Sequence, residues 1–213
     1  MINDSKSAKL KQIYDLLYDI YGDCECPLIH RNPFELLVAV ILSAQCTDKR
    51  VNIITPDLFK KFDTPEKMVA ADFEEVFELV KTAGLAKSKT KSIIGAAQML
   101  VKNFNSEVPA TMEELLLLPG VGRKTANVML SNAFKKPGFP VDTHVRRLLV
   151  KLGISRSADP EKLEFMVNAR MSGEKLGNFS HLLIFHGRAV CRAGHPDCVK
   201  CVLKNICRTG KKI

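Results

Sequence analysis

At 213 residues, 46% of them hydrophobic, the chain is long enough for one large domain or two small ones and can bury a real core. Its 32 Lys and Arg against 23 Asp and Glu give a formal net charge of +9, which points to an acidic partner, nucleic acid ahead of a membrane surface. No apolar run is long enough to span a bilayer, and the polar start Met1 to Leu10 is unlike a signal peptide, so no membrane partner and a cytoplasmic location (nucleoid-associated in a prokaryote) are expected. The seven cysteines, four of them crowded at the C-terminal end, argue in a reducing compartment for a metal site over disulfides.

In chain order, Asp4 or Ser5 can cap a first helix whose apolar face is Ile13, Leu16, Leu17 and Ile20. Gly22 and Pro27 break the chain around Cys24 and Cys26, read here as ordinary thiols. Asn32-Pro33 is a cap followed by proline at the first helical position. Phe34 to Ala44 is apolar nearly all round, which marks a central buried helix. It ends in Ser43-Ala44-Gln45-Cys46-Thr47-Asp48, a bunch of polar groups that reads either as a site or as a capped turn, with Cys46 as packing. Thr64-Pro65-Glu66 and Asp72-x-x-Glu75 start two short helices, and Gly84 closes the second. Leu85 falls in a loop, and Ser88 can cap a helix running to about Asn103. Lys87, Lys89 and Lys91 near its start read as a solvated face or as contacts to backbone phosphate.

The most informative stretch is Leu118-Pro119-Gly120-Val121-Gly122-Arg123-Lys124-Thr125-Ala126. Thr111 and Glu114 form a capping-box pair, so a helix of about two turns is expected from Met112 to Leu118. Pro119 and Gly120 stop it. A second helix begins after Gly122, with Val128, Met129 and Leu130 on its buried side. Bare of side chains, Gly120 and Gly122 let a phosphate approach the backbone N–H groups, and the positive end of the second helix points at the same spot. Such a seat positions the backbone and reads no base sequence. Lys124 stands in the first turn, where the dipole repels a cation and favours the neutral, nucleophilic amine. On this stretch alone a nucleophile and a surface lysine touching phosphate are equal readings.

Farther on, Asp142 in Val141-Asp142-Thr143-His144 is placed to cap the helix Thr143 to Leu152, and a capping carboxylate can also face a reaction centre. Asp159-Pro160 starts another helix. Ser180 to Arg188 carries His181 and His186, both read as structural. No segment alternates with period two and no hairpin dipeptide of the Asn-Gly type occurs, so some ten short helices make an all-α protein. Cys191, Cys198, Cys201 and Cys207 follow the spacing C-x6-C-x2-C-x5-C. Four thiolates within seventeen residues can wrap one metal centre. Zinc and a four-iron cluster are both open, the unequal gaps favouring the bulkier cluster.

Leu-Pro-Gly-Val-Gly-Arg-Lys-Thr-Ala, Val-Asp-Thr-His and the four-cysteine pattern, in that order, resemble endonuclease III, a family of the helix-hairpin-helix DNA glycosylases. Leu-Ser-Ala-Gln at Leu42 to Gln45 and Phe-His-Gly-Arg at Phe185 to Arg188 belong to the same resemblance, which covers essentially the whole chain. It implies two all-α lobes with DNA in the cleft between them. One is a six-helix barrel over about residues 26–136. The other joins residues 1–25 to residues 137–213 and holds a [4Fe–4S] cluster on the four cysteines. It implies a monomeric DNA glycosylase/AP lyase that removes oxidised pyrimidines, such as thymine glycol, from duplex DNA. Lys124 and Asp142 match the catalytic pair. Gln45 and Leu85 match residues that fill the gap left by the flipped base and wedge the opposite strand, while Gly120, Val121, Gly122, Arg123, Thr125 and His144 fall at DNA-binding positions.

Two stretches depart from the family pattern. The loop Arg192 to Asp197 keeps one arginine and adds an acid where the family is basic, which predicts a weaker DNA contact there, and Asp159 to Lys175 is only loosely similar. Two rivals remain at this stage. The mismatch adenine glycosylases share the cluster and the aspartate but usually lack the lysine and add a C-terminal recognition domain. A non-catalytic DNA-binding module would use Lys124 for phosphate and Asp142 only as a cap.

Overall fold

The computed structural model describes residues 1–2 and 4–210, and among these there are helices and turns but no strand. Among the described residues no helix is long and apolar enough to cross a membrane. The chain divides into two compact units, Cys26–Phe134 and a second built from Met1–Glu25 with Lys135–Ile213.

In the unit Cys26–Phe134 the central element is α2 (Pro33–Ser43), whose residues Phe34 to Leu42 are all buried. Asn32 starts it, its Oδ1 accepting from the Glu35 amide at 2.9 Å, and Pro33 occupies the first position. Glu35 is buried and ion-paired: its carboxylate accepts from the Arg31 backbone N–H at 2.7 Å and from the Arg31 guanidinium. Around α2 lie α3 (Asp48–Lys61), α4 (Pro65–Ala70), α5 (Phe73–Val80), α6 (Ala86–Asn103), α7 (Met112–Leu115) and α8 (Arg123–Asn132). Leu36, Leu37, Leu42, Leu58, Met68, Ile93 and Leu100 form its core.

The caps at Thr64, Asp72 and Thr111 stand where the sequence puts them, each side chain accepting a first-turn amide. Four expectations are corrected here. The helix α3 was not anticipated: it carries Pro56 in its interior, which removes a ladder donor and reads as a breaker. The helix from Met112 is a single turn, closing into a run of turns that reaches Leu118. Ser88 does not cap α6, which begins earlier, at Ala86, after a left-handed Leu85. Lys89, read as part of a solvated face or as a contact to backbone phosphate, is buried at 4% exposure.

The second unit packs α1 (Ser5–Tyr21), α9 (Thr143–Lys151), α10 (Pro160–Asn168) and α11 (Gly173–Ala189) around Leu10, Ile13, Leu17, Phe139, Leu149 and Phe179. Phe139 and Phe179 stack with ring centroids 5.7 Å apart. Leu10 and Tyr14 complete the buried face of α1, whereas Ile20 is 52% exposed and it is Tyr21 that packs against the core in that last turn. α11 starts at Gly173 and carries the stretch Ser180 to Arg188 in its second half. Gly173 is required there, because a Cβ would stand 2.5 Å from Cγ of Pro137.

Asp4 ties the N-terminal helix down twice. Its carboxylate caps α1 and also meets the Arg170 guanidinium at 2.8 Å, and that hydrogen bond holds the Asp4 carboxyl well below its ordinary value of 3.8. A depressed carboxyl pKa stabilises the fold above the unfolded value and loses that contribution as pH falls. The melting temperature of the native chain is therefore expected to exceed that of Asp4→Asn at neutral pH, the difference shrinking as pH drops below 3.8. Thermal melts of both proteins across that range check it.

Candidate active site and thiol cavity

The hairpin between α7 and α8 is fixed by contacts as well as by turn chemistry. Gly120 has φ +79°, and a Cβ there would stand 2.6 Å from Cβ of Ser92 on α6 and 3.5 Å from Cγ2 of Ile41 on α2. No side chain fits, so the hairpin presses its backbone directly onto both helices. Val121 is buried and its N–H donates to the Leu118 carbonyl at 3.1 Å, so it anchors the turn and has no amide to offer outward. Gly122 is the opposite case: it caps α8 without a side-chain hydrogen bond, and a Cβ there would meet nothing within 4 Å. The positive end of α8 thus has an open approach. Lys124 is exposed in its first turn, with Arg123 and Thr125 half-buried on either side.

Two other predicted residues belong to the same unit and share an unusual backbone. Gln45, after α2, and Leu85, before α6, both have φ +52°, a left-handed conformation that costs a side-chain-bearing residue about 1 kcal/mol or more. Both are exposed, Leu85 at 59%. The turns that carry them touch, since a Cβ on Gly84 would lie 3.7 Å from the Gln45 carbonyl oxygen.

The second unit carries Asp142 and His144. Asp142 is the N-cap of α9, its Oδ1 accepting from the Val145 amide at 2.8 Å, which leaves the other carboxylate oxygen for other work. His144 lies against α11, where Gly187 allows the approach: a Cβ there would be 3.0 Å from both Cβ and Nδ1 of His144. Arg147, which the sequence did not single out, donates from Nη2 to the carbonyls of Gly187 at 3.0 Å and Cys191 at 2.7 Å, tying the helix of Asp142 to the first cysteine of the C-terminal loop. No periodicity or motif signals that role, because it depends on two carbonyls distant in sequence.

Cys191, Cys198, Cys201 and Cys207 line one cavity of about 70 Å³, with Lys151 and Lys204 also in its wall. Among the described residues, no three His, Cys, Asp or Glu side chains gather closely enough to hold a metal ion. Burial pushes the Cys191 and Cys201 thiols up; on Cys207 burial is outweighed by hydrogen bonding from Thr209 and the Gly210 backbone, so that thiol is lowered. His186 is buried behind the cavity, its Nε2 3.3 Å from Cys201 Sγ and its Nδ1 3.3 Å from the Tyr21 hydroxyl.

The HhH-GPD superfamily of base excision DNA repair proteins matches residues 38–171. Endonuclease III of Synechocystis sp. is 44% identical over 204 residues, spanning 95% of this chain and 93% of that one. Two solved structures, one of a non-covalent complex of endonuclease III with DNA and one of a trapped covalent intermediate of endonuclease III with DNA, each superpose with a TM-score of 0.91 at 40% identity. They cover 100% of this chain and 98% and 99% of theirs. The chain belongs to the HhH-GPD superfamily and, within it, to the endonuclease III family.

The two hairpin glycines separate folding from binding. Gly120→Ala, strained in φ and facing Ser92, is expected to cost about 2 kcal/mol or more of stability. Gly122→Ala has room and an ordinary φ of −98°, so its melting temperature should stay at the native value while its affinity for duplex DNA falls. Thermal melts and DNA titrations of the two variants, side by side, check both halves.

Proposed function

We propose that the protein is a bifunctional DNA glycosylase/AP lyase of base excision repair, acting as a monomer on oxidised pyrimidines in duplex DNA wherever its host keeps that DNA. The observation that carries the reading is Lys124, exposed in the first turn of a helix whose N-terminus is uncapped and openly approached past Gly122. Its support is a relative of 40% identity, matched along the whole chain, that forms a covalent intermediate with DNA. We assign the family's barrel domain to the unit Cys26–Phe134 and its cluster domain to the other.

The assigned roles follow from the chemistry of each group. A damaged base must leave the stack before its glycosidic bond can be reached. Gln45 would fill the gap and Leu85 would wedge the opposite strand, as exposed side chains on paired turns. The amides at the start of α8, with Gly120 and Gly122 clearing the way and Arg123 and Thr125 beside them, would hold a phosphate, and His144 would add a contact from α9. Positive charge develops on the sugar as the base departs, and the Asp142 carboxylate stabilises it. The Lys124 amine attacks C1′ and loses a proton, and opening of the sugar ring gives a Schiff base. Loss of the C2′ proton then expels the 3′ phosphate by β-elimination, and water frees the lysine.

Four thiols line one cavity, a donor set that suits an iron–sulfur cluster. Cys191, Cys198, Cys201 and Cys207 would hold a [4Fe–4S] cluster, and its four Fe–S(Cys) bonds would staple the C-terminal loop. The loop Arg192 to Asp197 within it keeps its assignment as a weak DNA contact.

The test is borohydride trapping on a duplex containing one thymine glycol. The native protein is expected to give a covalent adduct that Lys124→Gln abolishes while DNA binding persists; an adduct that survives moves the amine elsewhere. Asn caps a helix as well as Asp does, so Asp142→Asn should keep its melting temperature yet lose base release by about 100-fold or more. A parallel loss of stability would reduce Asp142 to a structural cap.

A further inference from the structure

Among the described residues Lys89 is the one buried lysine, and its surroundings are unusual. It sits in the first turns of α6, at the positive end of the helix, where a cation is disfavoured. Burying an ammonium group costs free energy unless it is well paired. Its Nζ donates to a single carbonyl, that of Ala83. Burial lowers its pKa, and Cys46, in the turn after Gln45, is near enough to act on it electrostatically in the opposite sense. The Nζ bond lies outside the ladder of α6.

What it serves is visible in the backbone. The Lys89 amide donates to the Leu85 carbonyl at 3.0 Å, and its side chain turns back to the Ala83 carbonyl. The amide bond is the first rung of α6 and any residue would make it; what the lysine adds is its side-chain hold on the chain just before the Gly84-Leu85 step, where φ is +61° and then +52°. Leu85 is a left-handed leucine with no glycine's freedom and no side-chain cap of its own. Its neighbour Gly84 borders the turn of Gln45, since a Cβ there would stand 3.7 Å from the Gln45 carbonyl oxygen, so the segment that Lys89 holds lies beside both turns.

We propose that Lys89 is a positioning residue for lesion opening: it holds the Ala83–Leu85 turn so that Leu85, paired with Gln45, is rigid enough to enter the DNA stack. This rests on the reading that Leu85 enters DNA, and the experiment separates the two. A rigid wedge lowers the cost of prying bases apart, because no ordering remains to be done on binding.

The probe is a duplex with a stable tetrahydrofuran abasic analogue opposite 2-aminopurine, whose fluorescence rises when stacking is broken. Titrations use the full-length protein, its folding checked by circular dichroism. Lys89→Met, similar in length but without a donor, is expected to lose about tenfold in affinity for this duplex and most of the fluorescence rise, while affinity for undamaged duplex changes by about twofold at most, as loss of one charge-assisted hydrogen bond at the turn implies. Lys89→Arg, which keeps a donor, should restore most of the rise. Leu85→Ala should lose about as much as Lys89→Met, and the double variant should be no worse than Leu85→Ala alone, since both changes remove one device.

An unaffected Leu85→Ala would overturn the wedge reading itself. A damaging Leu85→Ala beside a native-like Lys89→Met, or losses that add, would overturn the role of Lys89. If Lys89→Met does not fold, Lys89→Gln, too short to span to Ala83, takes its place in the same cycle. Failure of both to fold would make Lys89 a requirement of the whole unit and overturn the local role.

Discussion

Ser92 leaves no room for a side chain at position 120, and the unit Cys26–Phe134 is arranged around that constraint. Because the hairpin lies backbone-to-side-chain against α6 and Ile41 of α2, the start of α8 is fixed relative to both helices. Two left-handed residues with exposed side chains stand at ends of those same helices: Gln45 follows α2 and Leu85 precedes α6. One buried helix pair therefore sets the proposed phosphate seat, the proposed nucleophile and the two exposed side chains in a common frame. Rigidity of this kind matters for an enzyme whose catalysis is mostly positioning, since an error of about 1 Å at the reacting atoms costs orders of magnitude in rate.

The second unit solves a related problem with hydrogen bonds. Asp142 is oriented by the Val145 amide, so the position of its proposed catalytic carboxylate is a by-product of starting a helix. Arg147, one turn further, spends its guanidinium on the carbonyls of Gly187 and Cys191, and Gly187 lets α11 close on His144. The thiol loop is thus tied to the helix that begins with the carboxylate, by contacts made entirely within one unit.

Helix starts were the most legible feature of the sequence. Asp4, Asn32, Thr64, Asp72, Thr111, Asp142 and Asp159 all accept first-turn amides, because a cap is a local interaction between residues two or three apart. Elements that depend on distant partners were not legible. The interior Pro56 hid α3, and the early turns of α11 depend on Gly173 fitting against Pro137. Lys89 read as one of three surface lysines, since its burial is decided by a carbonyl that only a left-handed turn brings within reach. At the candidate site, the hairpin glycines followed from turn chemistry, but the roles of Lys124 and Asp142 came from resemblance. Their local environments are equally those of a surface lysine and a helix cap, and a cap is also what Asp142 is.

The paired left-handed turns set a trap for protein engineering. A stability-guided redesign would replace Gln45 and Leu85 with glycine or asparagine, because both positions strain a larger side chain and both side chains are exposed and bury little. Such a protein would be expected to express well and melt later. It would also have exchanged the two side chains proposed to enter DNA for residues too small or too pliant to do so. Here the strain marks the places where a design algorithm should be told to leave the sequence alone.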